Sequence, residues 1–374
     1  MPSRDSTLTP IASAGPTEGR RDGSITAASR RTSGRTKASQ MRPTAPTLEA
    51  VAAMAGVSRA TVSRVVNGSP TVNPASRDAV QAAIAELGYV PNRAARSLAS
   101  QQSHAIALVV PEDTTRFFGD VYFASIVGGI NRRLEQSDYL LNLMIASKGP
   151  EAKMLRYLAG GVVDGVAVVS HHTSDVFVRE IGDMLPMVIG GRPALDGLSG
   201  YIVDVDNVAG AATATRHLIE AGRTKIATIT GPMTMQSGMD RLEGWNQALS
   251  EAGLEPGPVV HGDYTMLSGT RAARELLAAG AEFDGVFIAS DLMASGAQPI
   301  FLERGISVPD DLAMVGYDDS PSAQVCEVPL TTIRQPSEAM GEEMADILLA
   351  VLAGDETKPR ETELPTKLVI RDSA

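Results

Sequence analysis

The chain has 374 residues, enough for two or three hydrophobic cores, with an apolar fraction of 43% and a net charge of -11. Its single cysteine, Cys326, excludes an intrachain disulfide and fits a reducing compartment. No apolar signal-peptide core and no run of about 18 apolar residues is present, so a cytoplasmic protein with no membrane partner is expected.

The charge is unevenly spread. Residues 1–46 carry eight Lys/Arg against three Asp/Glu, and the acidic excess lies after residue 102. A positive end on an acidic body points to a localised anion-binding module. This first segment is rich in Ser, Thr, Arg, Gly and Pro. It has almost no large apolar residue to offset its ordering entropy, so a disordered tail is expected over 1–46. Translation could start at Met1 or at Met41, and the sequence leaves both open.

Residues 47–91 read as three short helices. Leu48, Val51, Ala52 and Ala55 fall on one helical face, with Thr47 as N-cap. Gly56-Val57 makes a tight turn and Ser58 caps a second helix, which puts Val62, Val65 and Val66 on one side. Its other side carries Arg59, Ala60, Ser63, Arg64 and Asn67. Asn73-Pro74 starts a third helix, which buries Val80, Ala83, Ile84 and Leu87 and stops at Gly88. Residues 92–102 follow as a linker. Within it, 92–99 has the pattern of one helix too short to be stable alone in water.

From residue 103 to 374 apolar strands alternate with amphipathic helices. The strand candidates are Ala105–Val110, Leu140–Ala146, Val163–Val169, Met187–Gly190, Tyr201–Val205, Lys225–Thr230, Val259–Gly262, Gly285–Ala289, Ala313–Tyr317 and Leu368–Arg371. Most are continuous apolar runs, as parallel strands covered on both faces require. So many strands exceed one comfortable open sheet. The expected architecture is therefore an all-α helix-turn-helix headpiece followed by a two-lobed α/β body. A ligand would sit between the lobes, at the strands' C-terminal ends.

The stretch Gly56–Gly68 supplies what a helix-turn-helix needs: a tight turn, apolar residues locking two helices, and a polar face free to meet bases. With Tyr89–Ala99 and Val315-Gly316-Tyr317-Asp318-Asp319, it resembles the lactose-repressor (LacI/GalR) family over roughly residues 47–372. The resemblance implies a sequence-specific repressor on a near-palindromic double-stranded operator. Ser58–Asn67 would be its recognition helix, with Arg59 and Ala60 choosing bases. Arg64 would add a base or phosphate contact, and Thr47, Thr61, Ser63 and Asn67 would hold phosphates. Asn92 to Ala99 would form a hinge helix whose Leu98 wedges into the minor groove.

The same resemblance implies a body like the periplasmic sugar-binding proteins and a small-molecule sugar effector. Arg241, in the segment Met239–Trp245, would offer a guanidinium fork to ring hydroxyls. Asp318 would accept from hydroxyls, and Tyr264 would stack on a sugar face. Tyr122 and Phe123 would line the N-terminal side of the cleft, and Gln335 would sit at a lobe crossover. Ser290 stands where family members often carry Asn, which leaves the pose there open. Pro111–Asp120 looks longer than the family's loop and favours a di- or oligosaccharide. His171-His172 reads as a polar pair at the cleft edge rather than a metal site, since adjacent residues point apart on an extended chain.

No cofactor is expected. No P-loop, no G-x-S-x-G and no paired catalytic Cys and His appears, so an enzyme is not expected. The chain ends shortly after Arg371, without the family's tetramerising heptads, so a homodimer is expected. Release from the operator by effector is the expected response. Corepression, or sugar binding without a DNA role, remain the alternatives.

Overall fold

The computed structural model describes residues 46–66, 68–90, 102–146, 151–195, 197–355 and 357–374. The tail to residue 45, Asn67, and the hinge candidates Asn92, Leu98 and Ala99 lie outside the described residues. The chain divides into two compact units, a small one ending at Tyr89 and a large one reaching Ala374.

The small unit is built from three helices: α1 (Leu48–Ala55), α2 (Arg59–Val66) and α3 (Pro74–Leu87). The Thr47 hydroxyl accepts from Ala50 N at 3.3 Å and caps α1. Gly56 then turns the chain at φ 65°, a left-handed conformation that a Cβ would strain. The Ser58 hydroxyl accepts from Thr61 N at 3.1 Å to start α2. Asn73 caps α3 through Ser76 N at 2.8 Å, with Pro74 in the first turn. Val51, Val62 and Val80 are fully buried, and Ala52, Ala83 and Tyr89 nearly so, giving three helices one shared apolar interior.

The large unit holds two six-stranded sheets. The N-terminal lobe runs β1 (Ala105–Val110), α4 (Thr114–Gly119), α5 (Val121–Leu134), β2 (Leu140–Ile145), α6 (Glu151–Leu158), β3 (Gly165–Val169), α7 (Phe177–Met184), β4 (Met187–Gly190) and β5 (Tyr201–Val205). The C-terminal lobe continues with α8 (Asn207–Glu220), β6 (Ile226–Thr230), α9 (Gln236–Ala252), β7 (Val259–His261), α10 (Met266–Ala278), β8 (Gly285–Ile288), α11 (Asp291–Glu303), β9 (Ala313–Asp318), α12 (Pro321–Val325) and β10 (Thr331–Arg334). The chain then returns to the N-terminal lobe as α13 (Ser337–Leu352) and β11 (Glu361–Leu364), and ends in the C-terminal sheet as β12 (Lys367–Val369).

The sheet orders are β11-β5-β4-β3-β1-β2 and β12-β10-β9-β8-β6-β7. All pairings are parallel except β10 with β12. Each sheet is covered on both faces, which is why its central strands read as unbroken apolar runs. In the N-terminal lobe α5 and α13 cover one face and α6 and α7 the other. In the C-terminal lobe the two layers are α10 with α11 and α8 with α9.

Two strands were not anticipated. In β10, Thr331 and Thr332 are fully buried where an apolar run would be expected. Their hydroxyls are satisfied internally: Thr331 Oγ1 accepts from Arg371 N at 2.9 Å, and Thr332 Oγ1 donates to Asp291 Oδ1 at 2.6 Å. Strand β11, Glu-Thr-Glu-Leu, lies at a sheet edge and is half exposed, so charge does not exclude it. The last strand begins at Lys367 and ends at Val369, where Leu368–Arg371 was expected.

Three chain segments connect the lobes: after β5, after β10 and after β11. The lobes also touch directly. Thr173 N donates to Thr234 O at 2.8 Å, and the His172 ring meets the Thr234 hydroxyl at 2.8 Å. Arg192 Nη2 donates to Asp240 Oδ2 at 2.5 Å. Among the described residues no helix is long and apolar enough to cross a membrane.

Candidate functional site

The outer side of α2 carries Ser58, Arg59, Ala60 and Arg64 exposed to solvent, with Thr61 and Ser63 half buried and Val62 turned inward. A helix thus anchored by valine can present the opposite side to a groove. The Arg59 guanidinium rests 3.1 Å from Glu49, with both side chains largely in water, so the pair is a weak one that a better acceptor would displace. The Thr47 hydroxyl is engaged as a cap and the Ser58 and Thr61 hydroxyls bond each other at 2.9 Å, yet all three residues border the surface.

A cavity of about 650 Å³, counted with its open mouth, lies between the lobes at the strands' C-terminal ends. Ser170 and His171 follow β3, Arg192 follows β4, Asp204 lies in β5 and Asn207 opens α8. From the C-terminal lobe come Gln236, Ser237 and Arg241 on α9, Tyr264 after β7, Ser290 after β8 and Asp318 at the end of β9. Gln335 occupies the crossover between β10 and α13. Helix α4 adds Arg116, and the start of α5 adds its N-cap Asp120 and Tyr122.

Arg241 organises the C-terminal wall. Its Nε donates to Asn207 Oδ1 at 2.9 Å, its Nη1 to Ala289 O at 2.7 Å and its Nη2 to Gln335 Oε1 at 2.8 Å. The guanidinium carbon lies 3.6 Å from the Tyr317 ring centroid, a stacked cation–π contact. The expected free fork is therefore only partly free: of five N–H donors, three are already spent on protein acceptors. Asn207 also ties Arg241 to Asp204, since its amide donates to Asp204 Oδ1 at 3.2 Å.

Asp318 lies 3.7 Å from Arg241 Nη1 and adopts φ 113°. Tyr264 and Ser170 are also in the left-handed region, at 65° and 59°. Non-glycine residues held there mark sites where surrounding structure over-determines the backbone. Burial pushes the Asp318 carboxyl up to about 7, against the opposing pull of Arg241, with Asp120 adding to the rise. Burial likewise raises Asp120 and Asp204. It also holds the Tyr122 phenol above its ordinary range, helped by neighbouring Asp204 and Asp120.

Tyr264 does line the cavity, its hydroxyl 3.1 Å from Ser237 Oγ and its ring flanked by Arg116 at 5.5 Å and Arg241 at 5.6 Å. Ser290 is 3% exposed and caps α11, accepting from Met293 N at 3.2 Å. Two expectations are corrected. Phe123 does not line the cleft: it is 1% exposed and packs into the α5 core beside Phe117, at 5.2 Å between ring centroids. One residue on a helix cannot face the cleft together with its immediate neighbour Tyr122. His171 is not at the rim but 5% exposed inside the cavity, and burial with the adjacent His172 pushes its imidazole down to about 4.

Sequence reasoning missed Asp120, Arg192, Asp204 and Asn207, and it put His171 and the segment around Arg116 near the cleft without giving either residue a binding role. Only the Phe-Phe-bearing insertion around Arg116 and the His pair gave any signal. Of the others, Asn207 opens α8 in Arg241's own lobe, while Asp120, Arg192 and Asp204 come from the other lobe, and such long-range juxtapositions leave no local motif.

Residues 47–92 match the family model for bacterial regulatory proteins of the lacI family, and residues 215–374 match a periplasmic binding protein-like domain. The chain is 45% identical over 333 residues to the HTH-type transcriptional regulator CelR of Thermobifida fusca, covering 88% of this chain and 98% of that one. A solved transcriptional regulator CelR–cellobiose complex superimposes with a TM-score of 0.70 at 43% identity, covering 88% of this chain and all of the other. The lac repressor dimer bound to operator and the anti-inducer ONPF gives a TM-score of 0.79 at 29% identity, with 88% and 98% covered.

Proposed function

Because the chain belongs to the lacI family of bacterial regulatory proteins, we propose that it is an operator-binding homodimeric repressor of the cytoplasm, released by a neutral disaccharide of the cellobiose type. Residues 47–91 form the headpiece, 92–102 the hinge and 103–374 the effector-binding and dimerising body. Ser58, Arg59, Ala60 and Arg64 meet the operator, with Thr47, Thr61, Ser63 and Asn67 on phosphates and Asn92, Leu98 and Ala99 at the operator centre.

One observation carries the effector class. Each guanidinium lining the cavity already faces a carboxylate: Arg192 is 2.5 Å from Asp240, Arg116 is 3.4 Å from Asp120, and Arg241 is 3.7 Å from Asp318. Anionic ligands would have to displace these partners, whereas hydroxyls add to them, donating to Asp318 and Asp204 and accepting from Arg241. The similarity to the cellobiose-bound relative favours two linked rings.

Calorimetric titration of the full chain with cellobiose, ribose and glucose 6-phosphate tests this. Cellobiose binds tightest on this reading. Preference for the phosphorylated sugar would contradict it.

A further inference from the structure

Two buried nitrogens in the cavity wall have no hydrogen-bond partner among the described residues: Arg116 Nη1 and His171 Nδ1. Both belong to the N-terminal lobe and both side chains are almost fully enclosed. Arg116 Nη1 lies 3.4 Å from Asp120 Oδ2 but makes no hydrogen bond there. An unmet donor or acceptor away from water costs about what a lost hydrogen bond costs, so such atoms persist where something else satisfies them. The remaining orphans, such as Trp245 Nε1 and Tyr317 Oη, do not line this cavity.

We propose that Arg116 and His171 are effector contacts that read hydroxyl groups from the N-terminal lobe, opposite Arg241 and Asp318. This rests on the neutral saccharide reading above. Their chemistry selects the ligand group. Arg116 Nη1 can only donate, so it needs a ligand oxygen. The His171 ring stays neutral, and a neutral imidazole carries one donor and one acceptor. A hydroxyl is both, so it satisfies Nδ1 in either tautomer, whereas a carboxylate or an ammonium satisfies only one. Arg116 is also fixed by both lobes, 5.8 Å from the Phe123 ring of its own lobe and 5.5 Å from the Tyr264 ring of the other.

The test uses full-length protein titrated with cellobiose by calorimetry, alongside thermal unfolding without ligand. His171→Phe removes the orphan nitrogen in similar volume, and Arg116→Lys keeps the charge facing Asp120 while removing the planar fork. Each variant is expected to bind cellobiose on the order of tenfold more weakly. The unliganded unfolding midpoint of His171→Phe should be unchanged or higher, because an unmet polar atom has been removed. Undiminished cellobiose affinity in both variants overturns the assignment. So does a fall in the unliganded midpoint of His171→Phe, which would make His171 a structural residue. Wild-type protein that takes up no cellobiose overturns this assignment and the saccharide reading together, whereas intact wild-type binding with unaffected variants overturns this one alone.

Discussion

Arg241 holds Asn207, Gln335 and the Ala289 carbonyl in place, so its removal does more than delete a ligand contact. Arg241→Met leaves buried acceptors unmet, and the body should lose on the order of 1–3 kcal/mol of stability while its response to effector disappears. Thermal unfolding and effector titration of the variant check both. Asp318 has a separate consequence. Its carboxyl is raised to about 7 by burial, so near neutral pH the unliganded protein holds much of that proton. Ligand hydroxyls donate to the ionised form, so binding expels the proton and affinity falls as pH drops through about 7. Asp120 and Asp204, raised in the same direction, add to the loss at lower pH. Asp318→Asn should remove the inflection near neutrality in a pH series of binding constants. In the headpiece, Arg59→Ala should cost about 1–3 kcal/mol on the preferred operator and relax preference at one base pair per half-site. A uniform loss over all sequences would make Arg59 a phosphate contact instead. Arg241, Asp318, Tyr264, Ser290 and Gln335 were legible in the sequence through the family resemblance, and all five line the cavity. Asp204 and Asn207 were not, because Asp204 lies inside a strand pattern and Asn207 looks like an ordinary helix start.

At the scale of elements, α5 and α13 pack with almost no space between them. A Cβ at Gly129 would sit 2.0 Å from the Glu338 carbonyl oxygen, and one at Gly341 would sit 2.3 Å from that of Ile126. Both obstacles are backbone, so neither can step aside by changing rotamer. Gly129→Ala should therefore separate the two helices and destabilise the N-terminal lobe by about 1–3 kcal/mol, measured by denaturant unfolding. Arg132 reinforces this helix pair through Glu338 and Glu342, and Arg133 through Asp346. The elements most legible in advance were those with unbroken apolar runs, such as β1 and β3 with every residue buried. Strand β10 was hidden because its threonines substitute internal hydrogen bonds for apolar side chains. Strand β11 was hidden because an edge position tolerates glutamates.

For the molecule as a whole, the headpiece and body are separate compact units joined through residues 91–101, and the charge that favours DNA lies before residue 103. Sensing therefore has to act through a change in the body, and the lobe contacts identify what can change. Thr173 with Thr234, His172 with Thr234, and Arg192 with Asp240 all bridge the cleft rim. A ligand bonded to both lobes biases the equilibrium between their arrangements only by its differential affinity for them. The decisive measurement is operator affinity of the full-length dimer at one fixed salt concentration, without effector and with saturating cellobiose. Coupling of the two sites should weaken operator binding by roughly five- to a hundredfold. Operator binding that is unchanged, or tighter, with cellobiose bound would contradict a repressor released by its sugar.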